Sequence, residues 1–152
     1  ELTPVKEKKK ILVIGAGPGG MKAAATAAQR GYDVTLWEKK NRMGGAMAAA
    51  CLADHTSTFD GLILLGAYST ADLSAASLDV LSLYGSEDGV LDREKYEESK
   101  PNLPKDFCEY VIDGGCHAYF GMYGAQDGDG TPKITNEEQI SLTVENIVKI
   151  IE

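Results

Sequence analysis

No run in this sequence stays apolar for the roughly 20 residues that a membrane-spanning helix needs. Its basic start, Lys6 to Lys10, leads into a glycine loop, not into the apolar core and cleavage site of a secretory leader. The expectation is a cytoplasmic protein without a membrane partner. Cysteine is scarce: Cys51, Cys108 and Cys116 are odd in number and lack the paired spacing of a metal site. That argues against a disulfide scaffold and against zinc. Aromatics are few at 7%, and the pI is near 4.8. Nucleic-acid binding wants a basic face with interleaved aromatics, so no such partner is expected. A serine framed as G-x-S-x-G is also missing, which removes the commonest hydrolase nucleophile.

What is present suffices for one folded domain. A chain of 152 residues with 43% hydrophobic composition can bury about 70% of its unfolded surface. Charge is split unevenly. Residues 1–42 carry nine Lys and Arg against four Asp and Glu, whereas residues 43–152 carry six against nineteen. The acidic residues are spread through helices and loops, as on solvated faces, and do not form one tail.

The chain alternates strand and helix signals. Lys10 to Ile14 is a short apolar, β-branched run, and Asp33 to Trp37 reads as a second strand. Between them Met21 to Arg30 is alanine-rich and stops at Gly31, a suitable residue for a helix C-terminus. A helix is expected from Met43 to Ala53. Further strands are expected at Gly61 to Leu65, Asp79 to Tyr84 and Phe107 to Ile112, with helical residues from Arg93 to Lys100 ending at Pro101. A capping box, Thr135 to Glu138, opens the last helix, which places Ile140, Val144, Ile147, Val148 and Ile151 on one face. Residues 124–132 form a glycine- and aspartate-rich surface loop. The fold class is α/β: a single Rossmann-like, three-layer domain around a five-stranded parallel sheet.

Gly15-Ala16-Gly17-Pro18-Gly19-Gly20 follows the first strand directly and opens a helix. Gly15 allows a tight turn, Gly17 lets the backbone approach a diphosphate, and Gly20 permits close packing of helix on strand; Gly19 completes the loop whose N–H groups face the anion. Glu38 closes the second strand eighteen residues beyond Gly20, where a carboxylate can accept hydrogen bonds from ribose hydroxyls.

Residues 8–45, KKKILVIGAGPGGMKAAATAAQRGYDVTLWEKKNRMGG, resemble the FAD- or NAD-binding segment of flavin-dependent ene-reductases of the dienoyl-CoA reductase and trimethylamine dehydrogenase kind. The resemblance implies that the loop holds the ADP half of a cofactor, with Arg42 adding a contact. Neither a later glycine-aspartate motif nor an iron-sulfur cysteine cluster follows. FAD, NAD or ADP is therefore expected to bind weakly, and no cofactor is required.

A second resemblance covers residues 43–151. MGGAMAAACLADHTSTFDGLILLGAYST, VLSLYGSEDGVLDREKYEE and NLPKDFCEYVIDGGCHAYFG are similar to the C-terminal half of small α/β-hydrolases of the dienelactone hydrolase or esterase type. The resemblance makes Asp88 the triad acid and His117 the triad base. The acid fixes the imidazole tautomer so that the ring can take a proton from the nucleophile. That nucleophile is missing, because Lys40, Asn41 and Arg42 stand where Gly, His and Ser belong. Ser69 and Ser86 lie in strand-end loops without an elbow. Cys116 sits beside His117, where neighbouring side chains of an extended loop point apart.

The sequence thus reads as a chimera of a dinucleotide-binding-like part (residues 1–42) and a hydrolase-like part (residues 43–152). Deliberate recombination explains it better than natural fusion, which appends whole domains. Two functions follow, of which the first is preferred. One is an engineered protein without turnover that retains weak nucleotide affinity. The other is an enzyme, either a weak esterase using Asp88 and His117 with water or an oxidoreductase fragment. Placing the strand that ends at Glu38 in the position of the nucleophile strand gives the order 1-2-3-4-5. The uncovered sheet edge suits a homodimer.

Overall fold

The structure, a computed structural model, describes residues 9–14, 18–37, 56–121 and 124–151. Short apolar runs form its five strands: β1 (Lys10–Ile14), β2 (Asp33–Trp37), β3 (Gly61–Leu65), β4 (Asp79–Gly85) and β5 (Cys108–Ile112). Among the described residues three α-helices accompany them: α1 (Pro18–Arg30), α2 (Arg93–Ser99) and α3 (Asn136–Ile151). The helix expected at residues 43–53 lies outside the described residues. Helix α1 begins three residues earlier than expected, because proline at the first helical position has a preset φ and lacks an N–H that would have no partner there. It ends as expected at Gly31, whose N–H reaches the Ala28 carbonyl at 3.0 Å and whose φ of 104° lets the following Tyr32 N–H reach the Ala27 carbonyl at 3.2 Å. Asp92 caps α2 by accepting from the Lys95 N–H at 3.1 Å. After Ser99 the chain tightens into a 3-10 turn, Lys100–Asn102, which accommodates Pro101.

All strand pairs are parallel, in the order β2-β1-β3-β4-β5. This corrects the expected order 1-2-3-4-5: β2 and β3 are apart, and β1 lies between them. Burial gives the reason. Ile11, Leu12 and Val13 are at most 1% exposed and need neighbours on both sides, whereas Asp33 is exposed and Val34 and Thr35 are half-buried, as an edge strand allows.

Alternate residues of the sheet feed two cores. On one face Ile11, Val13, Ile63, Leu81, Leu83 and Ile112 pack with Ala24 and Ala27 of α1 and Ile147 of α3. On the other, Leu12, Leu62, Leu64 and Val80 pack with Leu73, Leu78 and Leu103. Truncating a fully buried leucine such as Leu62 to alanine costs about 2–5 kcal/mol. The inward stripe of α3 is displaced from the expected one: Gln139, Thr143 and Ile147 are buried, with Leu142, Val144 and Ile150 against the core. Apolar spacing misses this stripe because two of its members are polar groups satisfied inside, as Thr143 Oγ1 is by the Gln139 carbonyl at 2.8 Å.

The register levels the strand ends. Ile14 is opposite Leu64, Leu65 opposite Leu83, and Gly85 opposite Ile112. The loops carrying Gly66, Asp88 and His117 consequently leave the sheet from one edge.

Candidate active site

Three glycines let these loops close on one another. Gly85, the last residue of β4, passes so near the Gly115 carbonyl and the Cys116 N–H that a Cβ has no room. The Ser86 N–H reaches the Ile112 carbonyl at 2.9 Å, and the Glu87 N–H the Gly115 carbonyl at 2.8 Å. Gly114 takes a positive φ of 72° and Gly66 one of 56°. A Cβ on Gly66 would stand 2.8 Å from His117 Nδ1 and 3.1 Å from Asp88 Oδ2, so β3 ends directly beneath the pair.

The structure brings together the two residues expected to pair. His117 Nδ1 lies 2.9 Å from Asp88 Oδ2, with no exposure of the Asp88 side chain and 24% for His117. The second carboxylate oxygen, Oδ1, accepts from the N–H groups of Val90 at 3.0 Å and Leu91 at 2.8 Å. A buried carboxylate with this many donors is held as the anion's geometry requires. When Nδ1–H donates to Asp88, Nε2 keeps its lone pair and becomes the basic atom of the ring.

Other candidates fall out of the chemistry. Ser69 is fully buried, and its hydroxyl is spent on the Ala71 carbonyl (2.9 Å) and N–H (3.2 Å). Ser86 Oγ accepts from the Gly114 N–H at 2.8 Å and lies 3.2 Å from Glu87 Oε1, tying the acid loop to the histidine loop. Cys116 is buried, and burial together with the adjacent Asp129 carboxylate pushes its thiol up from the ordinary value, away from a reactive thiolate. Its backbone is gripped by Gln139, which accepts from the Cys116 N–H at 3.0 Å and donates to its carbonyl at 2.8 Å.

Gly15, Gly17, Glu38 and Arg42 lie outside the described residues. Gly19 and Gly20 fall in the first turn of α1, at the end of the sheet that carries the pair. The strand order shows a spacing that reading by resemblance missed. The neighbour of β3 is β1, which is followed by Gly15-Ala16-Gly17-Pro18-Gly19, the frame of G-x-S-x-G with glycine at the serine position. The neighbour of β3 is therefore β1, not the strand ending at Glu38. The opposite end of the sheet has an open polar depression of about 410 Å³ lined by Lys9, Asp60, Ser77, Asp79 and Asp106, remote from the pair. Among the described residues no three metal-ligating side chains gather, and no helix is long and apolar enough to cross a membrane.

Known proteins show the same two likenesses. The profile of the alpha/beta hydrolase family matches residues 20–141, running across the junction expected at residues 42 and 43. A solved structure described as a predicted CIB-like hydrolase from Thermoplasma acidophilum superposes with a TM-score of 0.58 at 15% identity, over 95% of this chain and 88% of that one, a likeness of fold. An NADH oxidase of Thermoanaerobacter brockii is 50% identical over 50 residues, 33% of this chain and 8% of that protein. The subunit beta of an NADP(+)-dependent formate dehydrogenase of Moorella thermoacetica is 29% identical over 132 residues, 86% of this chain. The chain spans only 8% and 17% of the length of these two relatives.

Proposed function

The chain belongs to the alpha/beta hydrolase family, and we propose that it is a weak hydrolase of activated esters in which Asp88 and His117 act on water without a covalent intermediate. The 2.9 Å contact between His117 Nδ1 and the buried Asp88 carboxylate carries this reading. His117 Nε2 takes a proton from a water molecule as the water oxygen adds to the ester carbonyl. The imidazolium formed is stabilised by Asp88 and returns the proton to the departing alkoxide or phenolate. General-base catalysis of this kind contributes about 10² to 10⁴ in rate, enough for weak turnover of an activated ester without a serine. Family membership supports this over the reading without turnover. A two-part ancestry is part of the proposal, supported by the short oxidoreductase likeness beside the hydrolase one.

The test is hydrolysis of p-nitrophenyl acetate by the parent, His117→Ala and Asp88→Asn. Both variants are expected to lose most of the turnover, and a serine-directed phosphonate is expected to leave the parent unaffected. Parent rates equal to those of a variant lacking both groups would overturn the reading.

A second function has one observation in its favour. With β1 between β2 and β3, the chain direction reverses across the sheet at β1 and β3, and such switch points are where open α/β sheets bind nucleotides. FAD, NAD or ADP would meet the N–H groups opening α1, with Glu38 on the ribose; such a cofactor supplies hydride or electron transfer when bound. Binding of a diphosphate there is weak, because one helix terminus supplies only part of the free energy.

A further inference from the structure

We propose that Asp129 is a positioning residue that sets the separation of Asp88 and His117 by clamping together the two loops that carry them. Asp129 belongs to Asp127-Gly128-Asp129-Gly130, far from both partners in sequence. Its Oδ1 accepts from the Gly89 N–H at 3.1 Å, the His117 N–H at 3.1 Å and the Gly130 N–H at 3.0 Å, and its Oδ2 accepts from the Ala118 N–H at 2.8 Å. Gly89 follows Asp88 directly, and the His117 and Ala118 N–H groups lie on either side of the His117 Cα. One carboxylate thus holds the backbone on both sides of the 2.9 Å contact.

The surrounding backbone supports the same clamp. Gly89 lies against the Gly128 carbonyl and Gly130 against the Glu87 carbonyl, each too close for a Cβ, so glycine at both positions lets the loop seat on the acid loop. Lys133 fastens its far end, with Nζ on Glu87 Oε1 at 2.7 Å and its N–H on the Gly114 carbonyl at 2.8 Å. Burial works against the Asp129 charge, yet the N–H groups of Ala118, Gly89, His117 and Gly130 hold its carboxyl below the ordinary aspartate value. The clamp is therefore charged at neutral pH. A hydrogen bond between side chains weakens steeply when its donor and acceptor are displaced, so slack between residues 89 and 117 acts directly on the pair.

The inference rests on the hydrolase reading for its catalytic meaning, but its test does not need turnover. Asp129→Asn keeps the shape and one acceptor oxygen while turning an NH2 group toward the Ala118 N–H. Proton NMR should show the His117 Nδ1–H signal broadened or shifted upfield and exchanging faster with solvent as the ring loses its carboxylate partner. Asp127→Asn, at an exposed neighbour, should leave both unchanged. Wherever turnover is measured, kcat should fall about tenfold with KM unchanged. An unaltered His117 Nδ1–H signal and exchange rate in Asp129→Asn overturns the proposal, as does a variant that fails to fold, since the clamp is then structural only. A parent with the expected His117 signal but no esterase turnover removes the hydrolase reading and leaves the clamp standing.

Discussion

The two sides of the sheet carry their chemistry differently. On the β1–β2 side the candidate residues lie within one short stretch of sequence: a glycine loop and, eighteen residues beyond it, the acid Glu38. On the β3–β5 side Gly66, Asp88, His117, Asp129 and Gln139 come from five separate segments and meet through backbone contacts. A site of the first kind survives in any chain that keeps one strand, one turn and one helix. A site of the second kind exists only when the loops close together, and that makes it the more sensitive to small backbone changes.

The largest expected effect is on that closure. Gly85→Val would push a side chain into the Gly115 carbonyl, so urea denaturation should show a loss of about 3 kcal/mol or more. Gly124→Ala, with a φ of 78° but nothing within 4 Å, should cost only about 1–2 kcal/mol of backbone strain. Equal losses would show that crowding does not distinguish this side of the molecule.

A gain of function sharpens the comparison next. Because β1 is the neighbour of β3, Gly17→Ser should introduce phosphonate-sensitive ester hydrolysis at least about tenfold above the parent. Arg42→Ser, the position suggested by resemblance, should not. Activity from Arg42→Ser alone would return the nucleophile position to the second strand.

A smaller effect is expected in acid. Asp129 has a folded value depressed below 3.8, so near that pH the unfolded chain binds more protons than the folded one. Its contribution is complete above the unfolded value and is lost as pH falls through the folded one. The stability lead of the parent over Asp129→Asn, read from urea midpoints, should therefore hold at neutral pH and shrink as pH falls below about 5 and on below 3.8. A lead that is constant across this window would mean that the charge contributes nothing.

The smallest effect belongs to the glycine loop. ADP should bind with an affinity of about millimolar strength, and Gly17→Val, which blocks close approach of a diphosphate, should abolish it in ligand-observed NMR. Equal binding by both proteins, or none by either, would leave the loop as a turn that shapes the fold.

Much of the local structure was legible. The bounds of β1, β2 and β3 follow from apolar runs bracketed by glycine or charge, and the capping box forms as read, with Glu138 Oε2 accepting from the Thr135 N–H at 2.7 Å and Thr135 Oγ1 from the Glu138 N–H at 3.2 Å. The Asp88 and His117 pair was legible by resemblance, through their places after the fourth and fifth strands. Asp129 and Gln139 were not. Asp129 reads as part of a polar loop and Gln139 as an interruption of an apolar helix face, because the groups they bind are main-chain amides of residues 89, 116, 117 and 118. The repeated Asp-Gly of residues 127–130 was the available signal, since glycines at that density mark close backbone approach.

By itself the sequence determined the five strands, the stop of the first helix at Gly31, the capping box that opens the last helix and the absence of a framed serine, since these depend on side chains within a few residues of one another. Tertiary structure decided that β1 lies between β2 and β3, and that one aspartate holds the acid and histidine loops together. The strand order depended on which strand could bury both its faces and both its edges, a property of the whole sheet. The clamp depended on backbone N–H groups, which are chemically the same in every residue except proline and so leave no mark in the sequence that supplies them.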